Sequence, residues 1–140
     1  EMDPCLWRPH WLLSIAYGQM KRFEEAIAEA EMACALSGRN APTLGVLGMA
    51  YGGAGRRAEA EAILGQMTTR GLTEYVSSFA MACIYSGLGD FDHVLGYLEK
   101  GVEERDVLVV SIMKSEPQLL APLHGHPRFQ ALLQKMNLEV

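Results

Sequence analysis

The chain has 140 residues, a formal charge of −5 and a hydrophobic content of 49%. This length is enough for one domain with a buried core, and the acidic balance argues against a nucleic-acid surface, which needs clustered lysine and arginine. No apolar run approaches the roughly 20 residues of a membrane helix. From the charge and from this absence, respectively, we expect no nucleic-acid partner and no membrane partner.

The three cysteines, Cys5, Cys34 and Cys83, are odd in number and widely spaced. This spacing favours neither a disulfide framework nor a zinc site. We therefore expect the three cysteines to act as small, half-buried apolar residues of a protein in a reducing compartment. No basic-then-apolar signal segment opens the sequence, and a cytoplasmic location is predicted.

Tyrosines recur at a constant interval along most of the chain. Tyr17, Tyr51 and Tyr85 are 34 residues apart, and their surroundings repeat with them. Counting ten residues back from each tyrosine gives three units, at residues 7–40, 41–74 and 75–108. A period of this length indicates stacked helix–turn–helix units.

Each unit is predicted to contain two helices whose apolar residues recur every three or four positions, on one helical face. The first helices carry Leu13–Ser14–Tyr17, Leu47–Gly48–Tyr51 and Met81–Ala82–Tyr85. The second helices carry Ala26–Ala30–Ala33, Ala60–Leu64–Met67 and Val94–Leu98–Gly101. Short turns at residues 18–22, 52–56 and 86–90 join them, each with the small residues typical of antiparallel helix pairs.

In the first helix a large residue is followed by Leu–Gly and then by Tyr, and the second helix begins with Ala. This order resembles the signature of the tetratricopeptide repeat family. The resemblance implies an all-α fold, a right-handed α-solenoid of about three units with a degenerate capping unit. It also implies a non-enzymatic protein-interaction module. Four residues depart from the signature: His10, Ser14, Ser78 and Gly101. These departures affect the expected packing of the helices and leave the resemblance to the family in place.

Both ends of the chain lie outside the three units. Residues 1–6 read either as the tail of a preceding repeat, because Pro4 lies where such a unit would close, or as a simple helix entrance. Residues 109–140 are expected to form a degenerate repeat and a capping helix. Within this region we predict a short helix over 107–114 with Asp106 as N-cap, a loop over 115–126 and a final helix, Pro127–Met136.

The last segment resembles the ends of tetratricopeptide regions in large bacterial signalling proteins. The matching residues are Pro127, Arg128, Phe129, Leu132 and Leu133. This resemblance implies that the chain is the C-terminal part of a bacterial multidomain regulator.

In such a solenoid the first helices line a concave groove. The family register predicts the following groove residues: Arg8, Trp11, Ile15, Gln19, Gly45, Met49, Val76, Phe79 and Cys83. The set is mostly apolar, with aromatic residues at equivalent positions in units one and three, and it suits an apolar or amphipathic protein segment. Family members that hold chaperone C-terminal tails use Lys, Arg and Asn in the groove. The corresponding positions here carry Trp11, Ile15, Gly45, Met49, Phe79 and Cys83, so an acidic tail is not the expected ligand.

Candidate chemistry is weak throughout the chain. His124 and His126 lack a third metal ligand nearby, which favours a role in the loop and helix entry. His10 and Cys83 belong to different units, and nothing suggests an oxyanion donor beside them. We expect no enzyme activity, no metal and no cofactor.

Three alternatives to an open partner groove remain. The chain's own tail or a preceding repeat would cover the groove in one of them. In the second, the module forms a homodimer through the groove or through an N-terminal edge at Trp7, Trp11 and Leu12. The third is a sensor whose pocket holds a small apolar molecule.

Overall fold

A computed structural model describes residues 6–74, 76–106, 109–110, 123 and 125–139. Within those residues the chain is all-α, with seven long helices and no strand, which confirms the prediction of an all-α fold. The helices are α1 (Trp7–Gln19), α2 (Phe23–Ser37), α3 (Ala41–Gly53), α4 (Arg57–Arg70), α5 (Ser78–Leu88), α6 (Phe91–Glu103) and α7 (Pro127–Glu139).

Three of the turns between helices have the same backbone conformation. Each turn contains one residue with a positive φ. These residues are Lys21 (62°), Gly55 (82°) and Gly89 (79°), and they are 34 positions apart. The next N–H in each turn donates to the carbonyl of the repeated tyrosine, from Arg22 to Tyr17 (2.9 Å), Arg56 to Tyr51 (2.9 Å) and Asp90 to Tyr85 (3.0 Å). The 34-residue period is therefore present in the backbone as well as in the sequence.

The side chains at these turns also repeat. The guanidinium of Arg56 lies 4.9 Å from the centre of the Tyr51 ring, and it also pairs with Glu59 at 2.7 Å. The first turn has the same arrangement of Arg22, Tyr17 and Glu25. In the third turn the residue types differ: the Asp90 carboxylate pairs with His93, and the imidazole stacks on Tyr85 with ring centres 4.5 Å apart.

Helix ends follow the local sequence. Asn40 caps α3 by accepting a hydrogen bond from the Thr43 N–H at 3.0 Å, and Gly38 ends α2 in the left-handed conformation. Asp106 accepts from the Val109 N–H at 3.3 Å, as the predicted N-cap would. Most of the predicted helix over 107–114 and of the loop over 115–126 lies outside the described residues, as do residues 1–5.

The first helices of neighbouring pairs touch through their backbones. A Cβ on Gly52 would lie 2.4 Å from the carbonyl carbon of Gly87, and one on Gly87 would lie 2.6 Å from the Met49 oxygen. A Cβ on Gly45 would lie 2.7 Å from the Ala80 Cα. Glycine is needed at these positions because α3 and α5 approach more closely than any side chain permits.

The four residues that depart from the tetratricopeptide signature lie in four different environments. His10 Nδ1 bonds the Glu29 carboxylate at 2.7 Å, and the buried Ser14 hydroxyl donates to the Ala26 carbonyl at 2.7 Å. Gly101 makes room for Val109, whose Cγ2 would lie 2.6 Å from an added Cβ. The buried Ser78 hydroxyl has no hydrogen-bond partner among the described residues, and we have no physical account of it.

The final helix packs against α6. The sequence predicts an inner stripe of Phe129, Leu132, Leu133 and Met136; Phe129, Leu132 and Met136 are buried, and Leu133 is half-buried. On the outer side, Arg128 makes two hydrogen bonds to the Glu99 carboxylate, at 2.6 and 3.1 Å. This pair joins the last helix to the helix pair before it.

We expect the Arg128–Glu99 pair to stabilise the fold only above acidic pH. The hydrogen bonds from Arg128 hold the pKa of the Glu99 carboxyl below its usual value. A lowered pKa in the folded state adds stability above the unfolded pKa, about 4.3, and this gain is lost as pH falls through the folded pKa. Both side chains are more than a third exposed, so the gain is below about 1 kcal/mol.

A double-mutant cycle of Arg128→Gln and Glu99→Gln, measured by urea unfolding, checks this expectation. The coupling free energy should be measurable at neutral pH and should decrease as the pH falls from the usual carboxyl pKa, about 4.3, through the lowered pKa of the folded state. A coupling that does not change over this pH range would contradict it. The same cycle with Arg57→Gln and Glu61→Gln, an exposed pair within one helix, gives the coupling free energy of a reference ion pair.

Candidate functional site

An open cavity of about 350 Å³ lies among the first helices. Helix α1 contributes Ile15 and Gln19, α3 contributes Met49, and α5 contributes Ser86. The Phe23 ring, at the start of α2, forms one end of the cavity. The structure therefore brings three of the predicted groove residues, Ile15, Gln19 and Met49, to one concave surface.

The two aromatic residues predicted at equivalent positions of units one and three, Trp11 and Phe79, lie in contact with each other. The Trp11 and Phe79 rings lie 5.7 Å apart, and Trp7 meets Trp11 edge to face at 5.8 Å. The Trp11 indole donates to the Pro42 carbonyl at 3.1 Å. Phe79 is only 3% exposed, so its ring is part of the core.

Two other predicted groove residues are buried at helix contacts. Gly45 faces the Ala80 backbone, and Cys83 is enclosed in α5. Burial raises the pKa of the Cys83 thiol above its usual value, which keeps it neutral at pH 7. Both residues are buried in helix packing and do not line the cavity.

The remaining predicted residues lie toward the other end of the first helices. Arg8 is exposed, and its guanidinium lies 5.6 Å from the centre of the Trp7 ring. Val76 is half-buried just before α5. Neither residue lines the cavity.

Sequence reasoning missed Phe23, Gly53 and Gly87. Phe23 follows the turn, where helical periodicity has not yet begun, so the pattern assigned it to no face. Its ring occupies the space beside Gly53, where an added Cβ would lie 2.4 Å from the Phe23 Cε1. The repeated glycines of the turns were the only available signal, and they indicated a turn rather than a wall of a cavity.

A second concave surface, of about 480 Å³, lies along α2 and α4. Its lining includes charged and polar side chains, among them Glu31, Arg39, Tyr51, Glu59 and Gln66. The Tyr51 hydroxyl donates to the Glu31 carboxylate at 3.0 Å. Burial and this carboxylate together raise the pKa of Tyr51. The neutral phenol of Tyr51 therefore donates a hydrogen bond to the Glu31 carboxylate at this surface.

Among the described residues, no group of three or more His, Cys, Asp and Glu side chains is placed to hold a metal ion. His126 Nδ1 accepts from the Arg128 N–H at 3.2 Å, at the entrance to α7, and His124 lies outside the described residues. None of the described helices has both the length and the hydropathy of a membrane span.

Comparison with known proteins returned no match to a family model, to a curated protein or to a solved structure. Any functional assignment therefore rests on the residues and contacts described above.

Proposed function

We propose that the chain is a non-enzymatic protein-interaction module of the tetratricopeptide type. In this proposal residues 7–40, 41–74 and 75–108 are stacked units of a right-handed solenoid, and residues 109–140 cap it. The partner is an apolar or amphipathic protein segment that lies along the first helices. The observation that carries the proposal is the open cavity among α1, α3 and α5.

The repeated turn geometry supports the solenoid. Three turns share a positive φ and a tyrosine carbonyl contact at 34-residue spacing. Direct contacts run from α1 to α3 and from α3 to α5, and α2 and α4 each contact the first helix of the next pair. Stacking of this kind places consecutive first helices side by side, on one surface.

The chemistry of the cavity supports an apolar partner. Ile15, Met49 and Phe23 provide apolar walls, and the side chains of Gln19 and Ser86 add polar groups. None of the described residues that line it is charged, so a carboxylate buried there would lose hydration without gaining a cationic partner. An apolar side chain inserted between Ile15 and Met49 would gain roughly 1.5–3 kcal/mol from burial.

The proposed setting is the cytoplasm. Cys34 and Cys83 are both free thiols buried in the core. Free cysteines of this kind are typical of reducing compartments.

A matched pair of methionine substitutions tests the groove. Peptides selected from a displayed library against the wild-type protein would be titrated with Met49→Gln and with Met32→Gln. Met49 lines the cavity, whereas Met32 is exposed on α2 and does not. Loss of one apolar contact should weaken binding roughly 10- to 100-fold for Met49→Gln and leave Met32→Gln unchanged. Equal affinity of both variants would remove the groove from the proposal.

The cavity volume also favours a second candidate, a sensor of small apolar molecules. A volume of about 350 Å³ lies within the range of small-ligand sites, roughly 300–1,000 Å³. Thermal unfolding with a panel of uncharged aromatic fragments tests it. A rise in midpoint that Met49→Gln abolishes would support this candidate, and no rise at fragment saturation would dismiss it.

A further inference from the structure

The concave surface along α2 and α4 has side chains of opposite charge at its two ends. The described residues that line it fall between positions 31 and 66, where the structure describes the chain without interruption. None of them also lines the cavity among α1, α3 and α5. We call this surface the second-helix groove. Its α2 side consists of Glu31, Ala35 and Arg39, and its α4 side consists of Glu59, Ala62 and Gln66.

The middle of the second-helix groove has a small, apolar lining. Helices α2 and α4 both pack against α3, and the buried side chains of Leu47 and Ile63 form the floor between them. Ala35 and Ala62 are exposed beside this floor. Because alanine is small, these two positions let another helix approach closely and bring an apolar side chain to the floor.

One end of the groove carries a negative charge without a cationic partner. The Glu31 carboxylate accepts a hydrogen bond from the Tyr51 hydroxyl at 3.0 Å, and this neutral donor does not compensate its charge. Glu59 also lines the groove, but its carboxylate is neutralised by two hydrogen bonds of 2.7 Å from Arg56. Among the described residues, no cation lies within salt-bridge distance of Glu31. Glu31 therefore offers a carboxylate to an external cation.

The other end of the groove carries a positive charge without an acidic partner. The Arg39 guanidinium donates to the neutral Gln66 amide oxygen at 3.3 Å, and no carboxylate of the described chain lies within salt-bridge distance of it. Arg39 follows Glu31 by eight residues, which corresponds to roughly 12 Å along a helix. The groove thus presents a carboxylate, an apolar middle and a guanidinium in that order.

A helix fits this groove better than an extended chain does. The walls are helices, whose backbone N–H and C=O groups are hydrogen-bonded internally, so an extended segment would find no backbone partners there. A helical segment satisfies its own backbone and presents side chains every three or four residues on one face. A spacing of eight residues between two side chains on such a face matches the separation of Glu31 and Arg39.

We propose that the second-helix groove binds a helical protein segment with a basic, an apolar and an acidic side chain on one face, about four residues apart. The basic side chain pairs with Glu31, the apolar one lies between Ala35 and Ala62, and the acidic one pairs with Arg39. Exposed ion pairs contribute more to selectivity than to affinity, so the groove selects its partner by charge pattern. This proposal does not depend on the binding function assigned to the cavity.

Three alanine-rich, end-capped helical peptides test the charge pattern. Each has leucine at its centre, and the residues four positions to either side are arginine and glutamate, two glutamates or two glutamines. Titration into ¹⁵N-labelled protein, followed by NMR, should shift the amides of Ala35 and Ala62. The arginine–glutamate peptide should bind roughly tenfold more tightly than the glutamate–glutamate peptide, which places like charges at Glu31. Glu31→Lys should reverse this preference.

Two control variants separate the groove from other surfaces. Glu103→Lys makes the same charge change at an exposed residue of α6 that does not line the groove, and it should keep the wild-type preference. Met49→Gln, which alters the cavity, should also keep it, so the two proposed sites are tested separately. Circular dichroism verifies that every variant remains helical.

Three results would overturn the proposal. The first is equal affinity of the wild-type protein for all three peptides. The second is the absence of shifts at Ala35 and Ala62 with millimolar arginine–glutamate peptide. The third is a Glu31→Lys protein that retains the wild-type preference.

Discussion

Replacing Gly52 by alanine is expected to lower the free energy of unfolding by roughly 2–3 kcal/mol. An added Cβ at this position would lie 2.4 Å from the carbonyl carbon of Gly87. The obstacle is backbone, which cannot rotate away, so α3 and α5 must separate and lose packing. The usual gain of roughly 0.5–1 kcal/mol for alanine over glycine inside a helix is too small to compensate.

Gly65→Ala is the matched control for Gly52→Ala. Gly65 lies inside α4, and an added Cβ there meets nothing within 4 Å. Alanine should therefore raise the free energy of unfolding by roughly 0.5–1 kcal/mol. Urea unfolding of both variants compares the signs. If the two substitutions have the same effect, the close contact between α3 and α5 is not present in solution.

Replacing Phe79 by alanine is expected to cost roughly 3–5 kcal/mol of stability, because it leaves a cavity in the core. The ring is buried and lies 5.7 Å from the Trp11 ring. Its removal should also change the fluorescence of Trp11, whose indole keeps its hydrogen bond to Pro42. The measurement is chemical unfolding followed by both tryptophan fluorescence and circular dichroism.

Leu72→Ala provides the reference for Phe79→Ala. Leu72 is exposed in the turn after α4, and its truncation should change stability by no more than about 0.5 kcal/mol. A Phe79→Ala protein as stable as Leu72→Ala would mean that the ring faces solvent. That result would return Phe79 to the open groove predicted from sequence.

The sequence allowed much of the fold to be predicted because its signals were local. Helical periodicity placed the α1–α6 faces, and the recurring tyrosines located the turns that Lys21, Gly55 and Gly89 close. Pro127 indicated where the last helix begins, although α7 extends to Glu139 rather than to Met136. Each of these features depends on residues within one or two turns of helix.

The candidate site was less predictable because its shape depends on distances between helices. Periodicity assigns Phe79 and Cys83 to a face of α5, but it does not say how closely α1 and α3 approach that face. Gly45 lets α3 lie directly against Ala80, and the neighbouring Phe79 ring is buried 5.7 Å from the Trp11 ring. The cavity lies beside Met49 and Phe23 instead.

Photo-crosslinking at the rim of the cavity tests the central claim most directly. A benzophenone amino acid would replace Gln19, which lines the cavity, and in a second protein Met32, which does not. After irradiation with a selected binding peptide, the account predicts an adduct at position 19 that maps to the apolar side of the peptide, and none at position 32. Adducts at position 32 alone would place the partner on the second helices and contradict the groove assignment.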